Sequence, residues 1–338
     1  MRKIFAVLLA AMLVSLTACG GASAGNEKTS SDASAVSSET SSGGSSEASD
    51  VSQEEAQTVT FTDALGRTVT AGKPERTVSL IGSFADIWCL AGGKDSLVAA
   101  ADDTWTQFDL GLSESVQNIG AVKEPNTELV LASKPDFVLA SINTDANVEM
   151  LEILEQAGIT VAYFDVSSFE DYLDMLKVCT DLNGRPDLYE QYGEAVQKQV
   201  EDACARAEGK EGSTVLYLRA SGSSCKVKGG SGTVLGEMLT ALGCVNIADS
   251  DTSLLEELSM EAILAADPDY IFIVMQGSDQ EKVQQTLDKA VLSSPAWQQL
   301  TAVQEGRCYY MDQKLYNLKP NARWGEAYEG LADILYGE

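Results

Sequence analysis

Two stretches gather positive charge in a chain that is otherwise strongly acidic. Between Thr214 and Gly236 stand Arg219, Lys226 and Lys228 with no acid, and between Gly306 and Arg323 stand Arg307, Lys314, Lys319 and Arg323 against Asp312 alone. The whole chain carries 51 acidic and 23 basic residues, a net charge of −28. Guanidinium and ammonium groups that converge from two sides hold carboxylate or catecholate oxygens through charge-assisted hydrogen bonds. Trp105, Tyr309, Tyr310 and Tyr316 supply flat apolar surfaces to line such a site. The chemistry implied is capture, not reaction. The sequence contains no histidine, which removes His-based triads and the commonest general acid and base. No compact carboxylate motif replaces them, so no residue is assigned a catalytic role.

The same composition narrows the other options. Lack of histidine weighs against a site for bare zinc or manganese. Besides Cys19 there are cysteines at 89, 179, 204, 225, 244 and 308 with no C-x-x-C spacing, so no zinc site follows and sequence cannot choose a pairing. Cys89 and Cys204 read as buried free thiols, and Cys225–Cys244 is the disulfide weighed against that. Asp249–Ser253 resembles a calcium loop, but Leu254 occupies the position where glycine is needed. Lys226–Thr233 is glycine-rich before a helix, yet Leu235 stands where the last glycine of G-x-G-x-x-G belongs, and a flexible turn is the better reading. No resident metal or cofactor is predicted. The charge also argues against nucleic acid or an anionic lipid surface as partner.

The elements that must position these residues are short β-branched runs alternating with amphipathic stretches, the pattern of βαβ units and largely parallel sheets. Strands are expected at Val78–Ile81, Phe137–Ala140, Val161–Phe164, Val215–Leu218 and Tyr270–Met275. Glu128–Ala140 and Glu261–Ile273 echo one another: an acid opens a short apolar helix, Pro-Asp follows, then a buried strand. Pro135 and Pro268 stop the helices, and Asp136 and Asp269 complete the turns. The repeat implies two related lobes, 58–182 and 211–338. Between them, within 183–210, Asp187–Glu208 carries apolar residues at helical spacing, a rod of ~33 Å. In open α/β sheets ligands gather beyond the carboxyl ends of the strands. That rule selects the loops holding Ser83 and Phe84, Trp105, Asn143, Arg219 and Ser221, and Gln276. The basic stretches and their aromatics add Lys226, Lys314, Tyr316 and Arg323.

At the amino end, Arg2 and Lys3 precede an apolar run that closes on Leu16-Thr-Ala-Cys19-Gly20. Residues 1–18 read as an export signal, and Cys19 as an acylated anchor resembling the lipobox cysteine of bacterial lipoproteins. Residues 19–57, rich in Ser, Ala and Glu without an aromatic, read as a disordered tether. The expected location is the outer face of the cytoplasmic membrane, extracellular or periplasmic according to the envelope.

Phe61-Thr-Asp-Ala-Leu-Gly-Arg-Thr-Val-Thr70, Lys73-Pro-Glu-Arg-Thr-Val-Ser-Leu80, Asn118-Ile-Gly120 and Lys134-Pro-Asp-Phe-Val-Leu139 resemble, in order, the iron-siderophore and cobalamin substrate-binding proteins of ABC importers. The resemblance spans nearly all of 58–338. It implies two Rossmann-like α/β lobes with mostly parallel sheets, joined by one long helix, with a metal chelate bound in the cleft between them. A ferric siderophore leads, with cobalamin or haem as the alternative and a surface hydrolase or a sensory or adhesion lipoprotein as the remote one. It points to the same loops plus Lys314 to Arg323. It also implies an ABC permease in the cytoplasmic membrane as partner, docked by one acid from each lobe, at positions matched here by Glu128 and Glu261. A monomer is expected.

Overall fold

The structure, a computed structural model, describes residues 58–337; the signal, Cys19 and the tether lie outside the described residues. A hairpin of β1 (Val59–Thr62) and β2 (Thr68–Ala71) opens the first lobe. There follow β3 (Thr77–Ser79), α1 (Gly82–Leu90), β4 (Leu97–Ala100), α2 (Asp103–Thr106) and β5 (Gln117–Asn118). Then come α3 (Thr127–Ala132), β6 (Phe137–Ser141), β7 (Thr160–Phe164) and α4 (Phe169–Asn183). The sheet runs β5-β4-β3-β6-β7, parallel throughout. Every residue of β3 and β6 is buried, as expected of strands covered on both faces.

The hairpin motif has a structural purpose. Asp63 is buried and accepts the amides of Leu65 and Arg67 and the Arg67 guanidinium at 2.6 Å. Arg67 also reaches Glu155 and the Val161 carbonyl, and lies 5.2 Å from the Tyr163 ring centre. Asp63 and Arg67 therefore weld the hairpin onto β7.

The connection departs from a uniform rod. α4 opens with a capping box between Ser168 and Asp171 and ends at the left-handed Gly184. Pro186 then starts α5 (Pro186–Tyr189), a π-helical turn occupies Glu190–Glu194, and α6 (Ala195–Ala205) completes a helical run of about 30 Å. Gly193 sits in the π turn against the Tyr189 ring, where a Cβ would come to 3.2 Å. Such an inserted turn is a regular device for adjusting the face a helix presents.

The second lobe contains β8 (Thr214–Ser221), β9 (Cys225–Lys228), α7 (Val234–Ala241), β10 (Val245–Asn246), α8 (Met260–Ala266), β11 (Tyr270–Gln276), β12 (Cys308–Met311) and α9 (Trp324–Tyr336). Its sheet runs β9-β8-β11-β12, with β10 also on β8; β9 is antiparallel and the rest parallel. One apolar core continues from Phe84 and Trp88 through Val196 and Val200 to Tyr217 and Leu335, and the outer faces of the two sheets bury separate clusters. α9 lies along α6, with Gly325 so close to Gln199 that no larger residue fits. Trp324 meets Phe169 edge-on at 5.9 Å.

Both echoed segments fold alike. α3 and α8 each end before a non-glycine residue with positive φ, Lys134 at 48° and Asp267 at 38°, and proline follows. The aspartates do more than complete their own turns. Asp136 accepts the amides of Glu75 and Arg76, and Asp269 those of the Thr214 amide and hydroxyl, so each fastens the start of the adjacent parallel strand. Among the described residues no helix is long and apolar enough to cross a membrane, and all six described cysteines are free thiols.

Candidate functional site

The positive cluster is built by strand register. In β8 the side chains of Tyr217, Arg219 and Ser221 share one face, since alternate residues point the same way. The antiparallel β9 sets Lys226 directly opposite Arg219 and Lys228 opposite Tyr217. Like charges facing each other across strands are destabilising, and among the described residues no acid pairs with these within 4 Å. Burial, then Arg219, then Lys226 push the Lys228 ammonium below its usual pKa. Among the described residues Arg219 finds a neutral acceptor, the Asn317 side-chain oxygen at 3.2 Å, and no acid. The Tyr217 hydroxyl is buried with no hydrogen-bond partner among the described residues, and burial pushes it up to about 12 although the nearby Arg219 opposes the shift.

Lys319 joins this cluster from the segment after β12. The residue is half-buried with its ammonium enclosed more deeply, and it makes no ion pair among the described residues. Burial depresses its pKa; Asp165 and Asp171 of the first lobe pull it back up and Arg219 of the second pushes it down. Lys319 therefore feels charges of both lobes. On the first-lobe side Asp165 follows β7 and accepts the Asn143 amide at 2.7 Å, and the Asn143 backbone amide donates to Ser141.

The remaining predicted site residues divide sharply. Trp105 is 41% exposed on α2, and the neighbouring Asp103 accepts the Gly82 amide at 2.8 Å. Burial raises Asp103 to about 6, against the opposing pull of that amide. Gln276 is exposed at the end of β11, beside Gly277, whose amide donates to Gln313. Ser221 bonds within its own turn to Ser224, and Lys314 is exposed. Ser83 is buried at the start of α1 with its hydroxyl unpartnered.

Three residues take places that differ from the expectation. Phe84 has no exposed surface and packs edge-on to Phe164, so it backs a wall instead of forming one. Tyr316 is buried and its hydroxyl donates to the Ala327 carbonyl under α9. Arg323, just before α9, forms two 2.7 Å bonds with Glu326 in the first turn of that helix, so its charge is already matched. Lys319 and Lys228, noted in the basic stretches but not carried to the site, take its place. Period two from Lys226 would have found Lys228; nothing local sets Lys319 apart from Lys314 or Arg323 in the same stretch, and nothing local marks Asn317 or Asp165.

The glycine-rich loop is filled by the chain itself. The Gly230 amide donates to both oxygens of Asp249, and the Gly232 amide to Glu237. That arrangement leaves no cradle for phosphate and removes Asp249 from any calcium loop. Among the described residues no group of three or more potential metal ligands occurs. A hollow of about 440 Å³ lies beside Lys73 and Asn183, at the amino end of β3 and not among the carboxyl-end loops.

Glu128 and Glu261 are exposed in the first turns of α3 and α8, capped by Asn126 and Ser259. Neither makes an ion pair among the described residues.

A profile of the family described as periplasmic binding protein matches residues 78–315. Among curated proteins, the chain is 26% identical over 256 residues to the Fe(3+)-citrate-binding protein of Bacillus subtilis (strain 168), covering 74% of this chain and 77% of that one. Among solved structures, a Staphylococcus aureus protein complexed with staphyloferrin B superposes with a TM-score of 0.62 at 21% identity, covering 82% of this chain and 97% of that one. A periplasmic heme-binding protein from Roseiflexus sp. RS-1, in apo form, gives 0.63 at 22% identity, with 78% and 98% covered.

Proposed function

Because the chain belongs to the periplasmic binding protein family, we propose that it is the extracytoplasmic solute-binding component of an ABC importer, and that it captures an anionic metal chelate between its lobes. The observation that carries the ligand class is the set Arg219, Lys226, Lys228 and Lys319, without one ion pair among the described residues in a chain of net charge −28. Mutual repulsion among these cations, three of them half-buried and Lys226 exposed, disfavours the cluster by itself, and an anion with several oxygens relieves it. A ferric siderophore or ferric citrate has that character, in keeping with what the Bacillus relative is said to bind. Haem is the second reading, favoured by the exposed Trp105 ring and by carboxylates that would suit the same cations.

The protein works without catalysis in this reading: the cleft lacks histidine, and the charged groups face a ligand with no nucleophile among them. Glu128 and Glu261 dock arginines of a membrane permease, Cys19 carries the acyl anchor at the outer face of the cytoplasmic membrane, and the binding unit is monomeric. A thermal-melting screen of ferric citrate, ferric catecholate siderophores, haem and cobalamin tests the assignment. A true ligand at a hundred times its dissociation constant adds about 2.7 kcal/mol. No shift with any of the four classes would remove the metal-chelate reading.

A further inference from the structure

The five residues Asn317–Asn321 connect the positive cluster to the opposite lobe. Asn317 holds the Arg219 guanidinium, and Lys319 supplies a cation of its own. Asn321 is wholly buried, and its side-chain amide donates to the Ser83 carbonyl at 2.9 Å and to the Asp86 carboxylate at 2.7 Å. Both acceptors belong to α1 in the first lobe. The Asn321 backbone is left-handed, φ 53°, and its side-chain oxygen is buried without a partner.

Asparagine tolerates a left-handed backbone better than most residues, but glycine tolerates it at no cost. A turn that needed only that conformation would take glycine, with no amide oxygen left buried and unpaired, a costly state. What asparagine adds is the pair of hydrogen bonds to the other lobe, one of them to a carboxylate. Asp86 gains in return: burial raises its pKa and the Asn321 bond is what opposes that rise.

We infer that Asn321 is a positioning residue of the cleft: its amide pins the segment that carries Lys319 and steadies Arg219 to α1, setting the distance at which these cations meet a ligand lying against the first lobe. The inference rests on reading the cluster as the anion site. The pin itself is a separate physical claim and can be measured without any ligand.

Asn321→Gly keeps the left-handed backbone and deletes the amide. Hydrogen exchange followed by mass spectrometry on the ligand-free, folded protein should show at least about tenfold faster exchange in the segments 82–90 and 313–323, with β6 and β7 unchanged. Ferric citrate affinity should fall about tenfold. Asp86→Asn, which keeps an acceptor oxygen for the amide, should stay near the unmutated protein in both measurements, whereas Asp86→Leu should move both in the same direction as Asn321→Gly but less far, since the Ser83 bond remains. Unchanged exchange in both segments would overturn the pin, and faster exchange with unaltered affinity would overturn its positioning role. If the unmutated protein fails to bind ferric citrate, the ligand reading fails for that chelate and the exchange data alone decide the pin. Should Asn321→Gly not fold, the two Asp86 variants carry the same comparison.

Discussion

Asp136 and Asp269 hold the same station in the two lobes, 133 positions apart in the numbering. Each follows a proline that ends a short helix, and each turns its carboxylate onto the first backbone amides of the neighbouring parallel strand, those before β3 for Asp136 and that of Thr214 in β8 for Asp269. A carboxylate that accepts two donors in this way contributes more than a neutral hydrogen bond, and its loss leaves strand-end amides to find water.

Asp136→Ala and Asp269→Ala should each lower stability by about 1–3 kcal/mol. Because the sites are far apart, the double mutant should lose close to the sum. Urea unfolding with an unchanged m-value checks this, and a double mutant that unfolds at the same midpoint as the unmutated protein would show that the clamp contributes nothing.

Stability and binding should move in opposite directions at the positive cluster. Arg219→Ala with Lys319→Ala removes charge-assisted contacts and should weaken ferric citrate or haem by about tenfold or more per site. Removing Arg219 also relieves its repulsion of Lys226, so the empty protein should melt at the same temperature or higher. Arg323→Ala, whose partner Glu326 already neutralises it, should leave affinity within about twofold. Calorimetric titration and melting of the three variants separate these outcomes; a loss at Arg323 equal to that at Arg219 would restore Arg323 to the site.

Asp103 gives a pH test with a definite sign. Its folded pKa, about 6, lies above the ordinary aspartate value of 3.8, so the folded state holds the proton more tightly than the unfolded one. Its contribution is fully present at low pH and is lost as pH rises from about 4 to about 6. Asp103→Asn keeps an acceptor for the Gly82 amide and should flatten that slope. At pH 7 it should stabilise by about 1–2 kcal/mol, allowing for solvent screening, and at pH 4 the two proteins should melt together. A destabilised variant at pH 7 would mean that the carboxylate charge is needed where it sits.

The permease face proposed above rests on Glu128 and Glu261. A carboxylate in the first helical turn is favoured by about 0.3–1 kcal/mol through the helix dipole alone, so charge reversal should cost little folding energy. Glu128→Arg with Glu261→Arg should abolish cellular uptake of the chelate while affinity and melting temperature barely change, because rim charges govern association more than folding. Normal uptake by the double mutant would eliminate the docking role.

Local pattern was enough for the parts of this protein that depend on local physics. Short apolar runs marked Phe137–Ala140 and Val161–Phe164, and the apolar stretch opened by Glu128 marked the helix before the first of them, because burial of one face or both imposes such patterns on the chain itself. Pro135-Asp136 and Pro268-Asp269 announced the repeated lobe, since proline acts on its immediate neighbours. The scarcity of acids around Arg219 was visible as composition. The site's membership was decided only in three dimensions. Tyr316 and Phe84 look available in sequence, yet packing under α9 and against Phe164 encloses them. Lys319 acquires its place from Asp165 and Arg219, which approach it from different lobes. Asn321 meets Asp86 across 235 positions. Contacts of that kind depend on how two finished lobes seat against one another, and no periodicity or spacing along a single strand or helix encodes it.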